Sequence, residues 1–404
     1  MSEPSTETAP SYVRALLDES PRPEPDEQEI PEASRGGPYV EPKLNEVERE
    51  FPEDLLDPDA VKVVRRLTDT GHTAYLVGGC VRDLLFGLRP KDFDLATSAE
   101  PNQIKKLFRN CRIIGRRFRL AHVFFRDKTI EVATFRSGSP PQEENDGELM
   151  IRDDNVFGTP DEDAARRDFT INALFYDVQR GVILDYVGGV NDADKGLIRC
   201  IGDPRLRLRE DPIRMLRAVR LAARLGCEIE PGIVEATRCY APEILNAATP
   251  RIQEDLLRMF RGGAAAPAFD RMLELGMLEI LLPELCEHLR ADLREGEGNE
   301  LEAMRAALRT ADRWAQQERD IAPCVQMALL LAPVLMASIS DTNVRDAGAQ
   351  INDVLKPIAQ RLAISRRDSE RIRQILIAQG RLAPRAKRKR RFSVSAFVQR
   401  AYFL

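Results

Sequence analysis

Histidine is almost missing from this chain, at three residues in 404, and none stands in a His-Asp pair. A metal-dependent phosphohydrolase centre, which depends on such pairs, is therefore not expected. The seven cysteines are odd in number and contain no CxxC pair, which argues against both a zinc site and a disulfide framework and for a reducing, cytoplasmic home. The opening residues MSEPSTETAP lack the basic and apolar stretches of a signal peptide. The longest apolar run, Met327 to Ile339, is too short to span a bilayer and contains Pro333, so it reads as a buried helix and gives no membrane partner. Internal repeats are absent as well.

Net basic charge is also missing at first sight, the formal total being −5. The deficit is local. Residues 1–60 hold 17 Asp and Glu against 5 Lys and Arg, and residues 61–404 hold 48 against 55, a net of +7. The larger part is thus basic, as suits a protein that handles phosphates. Residues 1–56, rich in Pro and Glu, bury too little apolar surface to offset chain entropy and are expected to form a disordered acidic tail, with a short helix near Tyr12 to Leu17. At 404 residues, two or more domains are expected.

The most informative stretch is Tyr75 to Leu95, YLVGGCVRDLLFGLRPKDFDL. It predicts a short strand, a Gly78-Gly79 turn, an amphipathic helix and a second strand carrying Asp92 and Asp94. Residues two apart on a strand share a face, so both carboxylates point one way. Such a pair suits magnesium, which takes one or two carboxylates plus water and phosphate oxygens. The glycine turn frees backbone N–H groups for an anion at the helix start. Joined, these parts make a place where metal and triphosphate meet.

The rest of the chain can be read in order. A helix is expected from Asp57 to Gly71 with Asp59 as cap, another from Ala99 to Phe108 with Pro101 in its first turn, and a strand from Thr129 to Phe135. Alternation puts Glu131 on one face of that strand, either as a third carboxylate at the metal site or as a rim glutamate. The Pro-, Gly- and acid-rich run Ser137 to Asn155 reads as a long functional or mobile loop. In RRDFTINALFYD, Asp168 and Asn172 stand four apart and share a face if helical, with Arg167 beside them. In LREDPIRMLRAVRLAARLG, Asp211 is a cap and Pro212 fills the first turn, while Arg214, Arg217, Arg220 and Arg224 form a basic stripe opposite the apolar face. Beyond residue 230 the pattern is almost wholly helical. The end carries Arg385, Lys387, Arg388, Lys389, Arg390 and Arg391, followed by Phe392, Phe397, Tyr402 and Phe403. This is either a surface for single-stranded RNA or a solvated turn before a last core helix.

The paired GG turn and DxD resemble the signature of the nucleotidyltransferase superfamily. GGCVRDLLFG, KDFDLAT, RRDFTINA and EDPIR together resemble the class II branch, which holds CCA-adding tRNA nucleotidyltransferases and bacterial poly(A) polymerases. The resemblance covers residues 57 to about 290. It implies an α+β nucleotidyltransferase head, a small mixed sheet with helices over residues 57–195. An all-α neck at 196–262 with the nucleotide-selecting motif, an RNA-binding body at 263–380 and a basic segment at 381–404 would follow. It further implies Asp92, Asp94 and Asp168 as catalytic residues, Asp92 and Asp94 holding Mg2+. Gly78, Gly79, Arg82, Arg167, Asn172, Glu210, Asp211, Arg214 and Arg217 would contact the nucleotide, and the 137–155 loop would help to choose it.

Base choice follows from the hydrogen-bonding chemistry of two of these side chains. Asp211 only accepts a hydrogen bond and Arg214 only donates, which matches the amino group beside a ring nitrogen on adenine or cytosine and opposes guanine and uracil. ATP, and CTP with it, should be accepted. IIGRRFRLAHV, residues 113–123, with Arg116 and Arg117 as RNA contacts, is similar to the string of the poly(A) polymerases rather than that of the CCA-adding enzymes. The implied reaction is attack of an RNA 3′-hydroxyl (mRNA, small RNA or tRNA) on the α-phosphate of ATP, releasing pyrophosphate. CCA addition to tRNA is the second reading, and a catalytically inactive RNA-binding relative the third.

Overall fold

The computed structural model describes residues 9–18, 20, 22–23, 43–115, 119–137, 157–295, 299–339 and 346–382. The chain divides into two compact units, one formed by residues 26–210 and 228–233, the other by residues 1–25, 211–227 and 234–404. The first described element, α1 (Ser11–Leu17), belongs to the second unit.

The first unit is organised by a mixed sheet of eight strands among the described residues: β1 (Asn45–Glu48), β2 (Ala74–Val77), β3 (Asp94–Thr97), β4 (Cys111–Ile114), β5 (Leu120–Phe124), β6 (Thr129–Thr134), β7 (Leu174–Asp177) and β8 (Val182–Asp185). Their order is β1-β8-β7-β2-β3-β6-β5-β4. Only β3 and β6 run parallel, with Asp94 opposite Glu131; the other neighbours are antiparallel. The helices are α2 (Pro58–Thr68), α3 (Gly79–Leu85), α4 (Pro101–Leu107), α5 (Pro160–Ala165), α6 (Gly189–Asp194) and α7 (Pro204–Glu210). The α2 start is capped by Asp57, whose carboxylate accepts from the Asp59 and Ala60 N–H groups; the expected cap, Asp59, already lies inside the helix and pairs with Lys62.

Period-two alternation separates two cores on opposite faces of this sheet. Leu76, Leu95, Val132, Leu174 and Ile183 pack with α2, α3 and α4 residues such as Val64, Leu67, Val81 and Ile104. Their neighbours Val77, Ala96, Phe175 and Leu184 turn the other way and pack with Phe135, Ala164 and Ile201. A two-strand ladder joins β9 (Leu197–Ile198) to β10 (Glu228–Ile229). That pairing returns residues 228–233 to the sheet unit, which otherwise extends to Glu210.

The second unit is helical: α8 (Ile213–Leu225), α9 (Pro231–Tyr240, most of which lies here), α10 (Thr249–Arg261), α11 (Ala265–Glu274), α12 (Met277–Leu281), α13 (Pro283–Arg294), α14 (Asn299–Gln316), α15 (Pro323–Ala337), α16 (Ala347–Arg361) and α17 (Arg366–Leu382). The apolar run around Pro333 is, as its composition suggests, a helix buried nearly all round. Helix α1 packs on α11, with the Arg305 guanidinium over the Tyr12 ring, 3.8 Å from its centroid. The short helix expected near Tyr12 to Leu17 is present as Ser11–Leu17 and buries Leu16 in the helical unit. The expectation of disorder through residue 56 is corrected at Asn45–Glu48, which gains a ladder of backbone hydrogen bonds along β8. No helix among the described residues is long and apolar enough to cross a membrane.

Candidate active site

The site forms at one end of β3. Strand β2 ends at Val77, whose partner in the ladder is Asp94. The chain then turns through Gly78 at φ +71°, a region that suits glycine, and a Cβ here would sit 2.9 Å from Arg167 Nη1. The turn and the close approach thus both require glycine.

Asp94 opens β3, whereas Asp92 lies two residues before it, outside the strand where it was expected. The tip of Asp94 reaches solvent, yet burial among protein atoms, then Glu131, then Asp92 raise its carboxyl to about 6, against a lowering by Arg167. The two neighbouring carboxylates thus disfavour the charged form of Asp94, which a nearby cation would favour. Among the described residues no group of three or more ligating side chains is placed to hold a metal unaided. Two carboxylates that need water and phosphate oxygens to complete a shell fit magnesium better than a metal caged by protein.

Glu131 is brought to the site from β6, directly opposite Asp94, and its other neighbour is His122 of β5, with Nε2 at 3.6 Å. Asp168 arrives differently. It precedes a 3-10 turn, Thr170–Asn172, so the helix expected to place Asp168 and Asn172 on one face is not formed. A hydrogen bond joins them instead, Asn172 Nδ2 donating to Asp168 Oδ1 at 3.0 Å, and the same oxygen accepts from the Phe169 N–H. Arg82, 7% exposed, completes the chain by donating through Nη1 to Asn172 Oδ1 at 2.6 Å and through Nε and Nη2 to Asp83.

Arg167 is fixed by residues that the sequence reading did not single out. Its Nε and Nη2 donate to Asp163, its Nη1 to the Asn172 carbonyl, and its guanidinium lies over the Phe175 ring, 5.2 Å from the centroid. Asp163 stands four residues before Arg167, a spacing at which a short helix brings opposite charges together. Arg207 donates to the carbonyls of Arg166 and Arg167 and to Glu210, so Glu210 is engaged within its own helix.

In the helical unit the second half of the motif takes its own form. Asp211 does not cap α8, whose N-terminus receives no side-chain hydrogen bond. Both carboxylate oxygens of Asp211 accept from Arg251 of α10, at 2.9 and 2.7 Å. No local signal marks Arg251, which lies forty residues on. Arg214 is buried, and the arginine stripe is not a solvated face: Arg220 Nε pairs with Asp255 of α10 at 2.9 Å. Burial raises the Asp255 carboxyl, against lowering by Arg220 first and then Arg217, Arg258 and Arg251. Arg116, Arg117, the 138–156 loop and the basic residues Arg385, Lys387, Arg388, Lys389, Arg390 and Arg391 lie outside the described residues.

A mixed sheet with a GG turn and two acids at the head of the neighbouring strand, followed by a helical unit, defines a nucleotidyltransferase. A family model described as the poly A polymerase head domain matches residues 74–199, and one described as a probable RNA and SrmB-binding site of polymerase A matches residues 226–289. Poly(A) polymerase I of Salmonella typhi is 39% identical over 344 residues, covering 82% of this chain and 73% of the relative. The CCA-adding enzyme of Bacillus velezensis is 34% identical over 222 residues, 55% of each chain. Among solved structures, the Bacillus stearothermophilus CCA-adding enzyme in complex with CTP is similar at a TM-score of 0.56 and 26% identity, over 81% of this chain and 71% of that one. The chain belongs to the bacterial poly(A) polymerase I family of the class II nucleotidyltransferases.

Proposed function

We propose that the protein polyadenylates RNA 3′ ends without a template, transferring AMP from ATP and releasing pyrophosphate in the cytoplasm. The observation that carries this reading is the reach of the similarity: it runs over 82% of the chain with poly(A) polymerase I and over 55% with the CCA-adding enzyme. Asp92 and Asp94 would hold two magnesium ions, which when bound would activate the RNA hydroxyl and neutralise the leaving pyrophosphate. Gly78 and Gly79 leave room for phosphates beside Arg167 and Arg82. Glu131 is the carboxylate paired in register with Asp94 and takes the third acidic role, while Asp168 orients Asn172 and, through it, Arg82 toward ribose and phosphate.

Asp211 and Arg214 supply the acceptor and donor that match adenine. A carboxylate offers about four lone-pair sites, so Arg251 can orient Asp211 and still leave it able to accept from the base. The test is primer extension of a generic RNA with magnesium and each nucleotide separately, beside a tRNA lacking its terminal CCA. A ladder with ATP alone on the generic RNA is the expected result. Addition confined to the tRNA and requiring CTP would establish CCA addition instead, and no incorporation under any condition would favour the inactive relative.

A further inference from the structure

The two faces of the outer sheet are unequal. On β4, β5 and β6, Cys111, Ala121, Val123, Ile130 and Val132 turn into the core beneath α2 and α4. Their alternates Arg112, His122, Phe124 and Glu131 turn the other way, where the second core covers Ala96 and Phe135 but, among the described residues, none of these four. Register lines three of them up with the catalytic strand: Asp94 faces Glu131, Glu131 faces His122, and His122 faces Arg112. Phe124, 36% exposed, stands two residues from His122 on the same face, with the Arg112 guanidinium 5.7 Å from its ring centroid and the imidazole 6.4 Å away. Ile114, 47% exposed, continues the face.

We propose that this open face, through Arg112, His122 and Phe124, seats the 3′-terminal nucleotides of the acceptor RNA. The inference rests on the polymerase reading above and adds a side to it. In phosphoryl transfer the attacking and leaving oxygens stand in line, on opposite sides of the reacting phosphorus. The Gly78-Gly79 turn that would cradle the triphosphate follows β2, on one side of β3, and β6, β5 and β4 lie on the other. The acceptor therefore comes in over β6, β5 and β4.

The chemistry of the face fits an unpaired RNA end. An exposed aromatic ring stacks a base of any identity, and a guanidinium beside it serves both stacking and phosphate pairing. Glu131 bounds the face on the catalytic side, so the phosphates fall toward Arg112. Neighbouring strands stand about 4.8 Å apart, which puts β4 roughly 14 Å from β3, a span that suits a short single-stranded end better than a mononucleotide.

The experiment measures steady-state primer extension and, separately, equilibrium binding of the same RNA to metal-free protein, for wild type, Phe124→Ala, Arg112→Gln and Phe124→Tyr. The KM and Kd for RNA should rise about tenfold in Phe124→Ala and Arg112→Gln, the scale of one lost base–aromatic contact. The KM for ATP should stay in place, and Phe124→Tyr should behave as wild type. Unchanged RNA constants in both variants would overturn the proposal, as would a rise confined to the ATP KM. A fall in melting temperature that accounts for every loss and that Phe124→Tyr does not repair would overturn it too. If the wild type extends only tRNA with CTP, the polymerase reading fails by itself, and the same comparison made with tRNA as acceptor still decides the seat.

Discussion

At the scale of single residues the site is a balance of charges. Asp94 has its carboxyl raised to about 6 by burial, Glu131 and Asp92. A carboxyl raised in the folded state binds its proton more tightly there than in the unfolded chain. Without metal, stability should fall as pH climbs from about 4 through 6, and Asp94→Asn should remove that slope in urea melts. A cation needs the ionised form, so the magnesium midpoint for primer extension should move to higher concentration at pH 5.5 than at pH 7.5. Asp92→Ala should abolish transfer with the melting temperature kept, since its side chain is exposed; normal turnover in that variant would remove the metal site from the account. Asp211→Ala should widen nucleotide choice. Arg251→Ala should do so more weakly, because it frees the Asp211 carboxylate to swing while leaving its acceptor in place. Extension rates with each of the four nucleotides check both.

At the scale of elements, helix ends and strand partners position these side chains, and several supports come from far away in sequence. The start of α11 is capped by Asp312 of α14, whose two oxygens accept from the Ala265 and Ala266 N–H groups at 2.6 and 2.9 Å. Burial raises the Asp312 carboxyl while those two donors lower it. Asp312→Ala leaves two buried N–H groups unmatched and should cost about 1–3 kcal/mol in urea unfolding. The cap is invisible in sequence, since Gly263 and Ala264 look like the end of one helix and nothing ties them to residue 312. Asp211 illustrates the same limit. It stands where a cap is expected, yet the tertiary partner Arg251 claims its carboxylate. The Asp168–Asn172 pair keeps its proximity through one hydrogen bond although the helix that was to supply it is replaced by a 3-10 turn.

At the scale of the whole molecule, charge is segregated along the chain, with −12 over residues 1–60 and +7 over residues 61–404. RNA binding by such a protein releases counterions, with log affinity falling by about 0.7 per phosphate contacted for each tenfold rise in salt. With about six phosphates engaged, the RNA Kd should weaken by two orders of magnitude or more between 50 and 200 mM salt. The ATP KM should move far less. Filter binding at several salt concentrations measures the slope, and a flat line would deny the basic part a role in holding RNA.

Much of this was legible in one dimension because local chemistry decides it. The GG turn is required where backbone must turn left-handed against Arg167, Asp94 opens a strand with Asp92 two residues before it, and each strand sends successive side chains to opposite faces of the sheet by geometry alone. The apolar run around Pro333 could only be a buried helix. Tertiary structure decided the rest. Which strand runs beside which brought Glu131, His122 and Arg112 into a row with Asp94, and which helix crosses which gave Asp211 to Arg251 and the α11 cap to Asp312. A strand pattern fixes the face a side chain takes but not its neighbour across the sheet, and a charged side chain fixes what it can bind but not what the fold places within its reach.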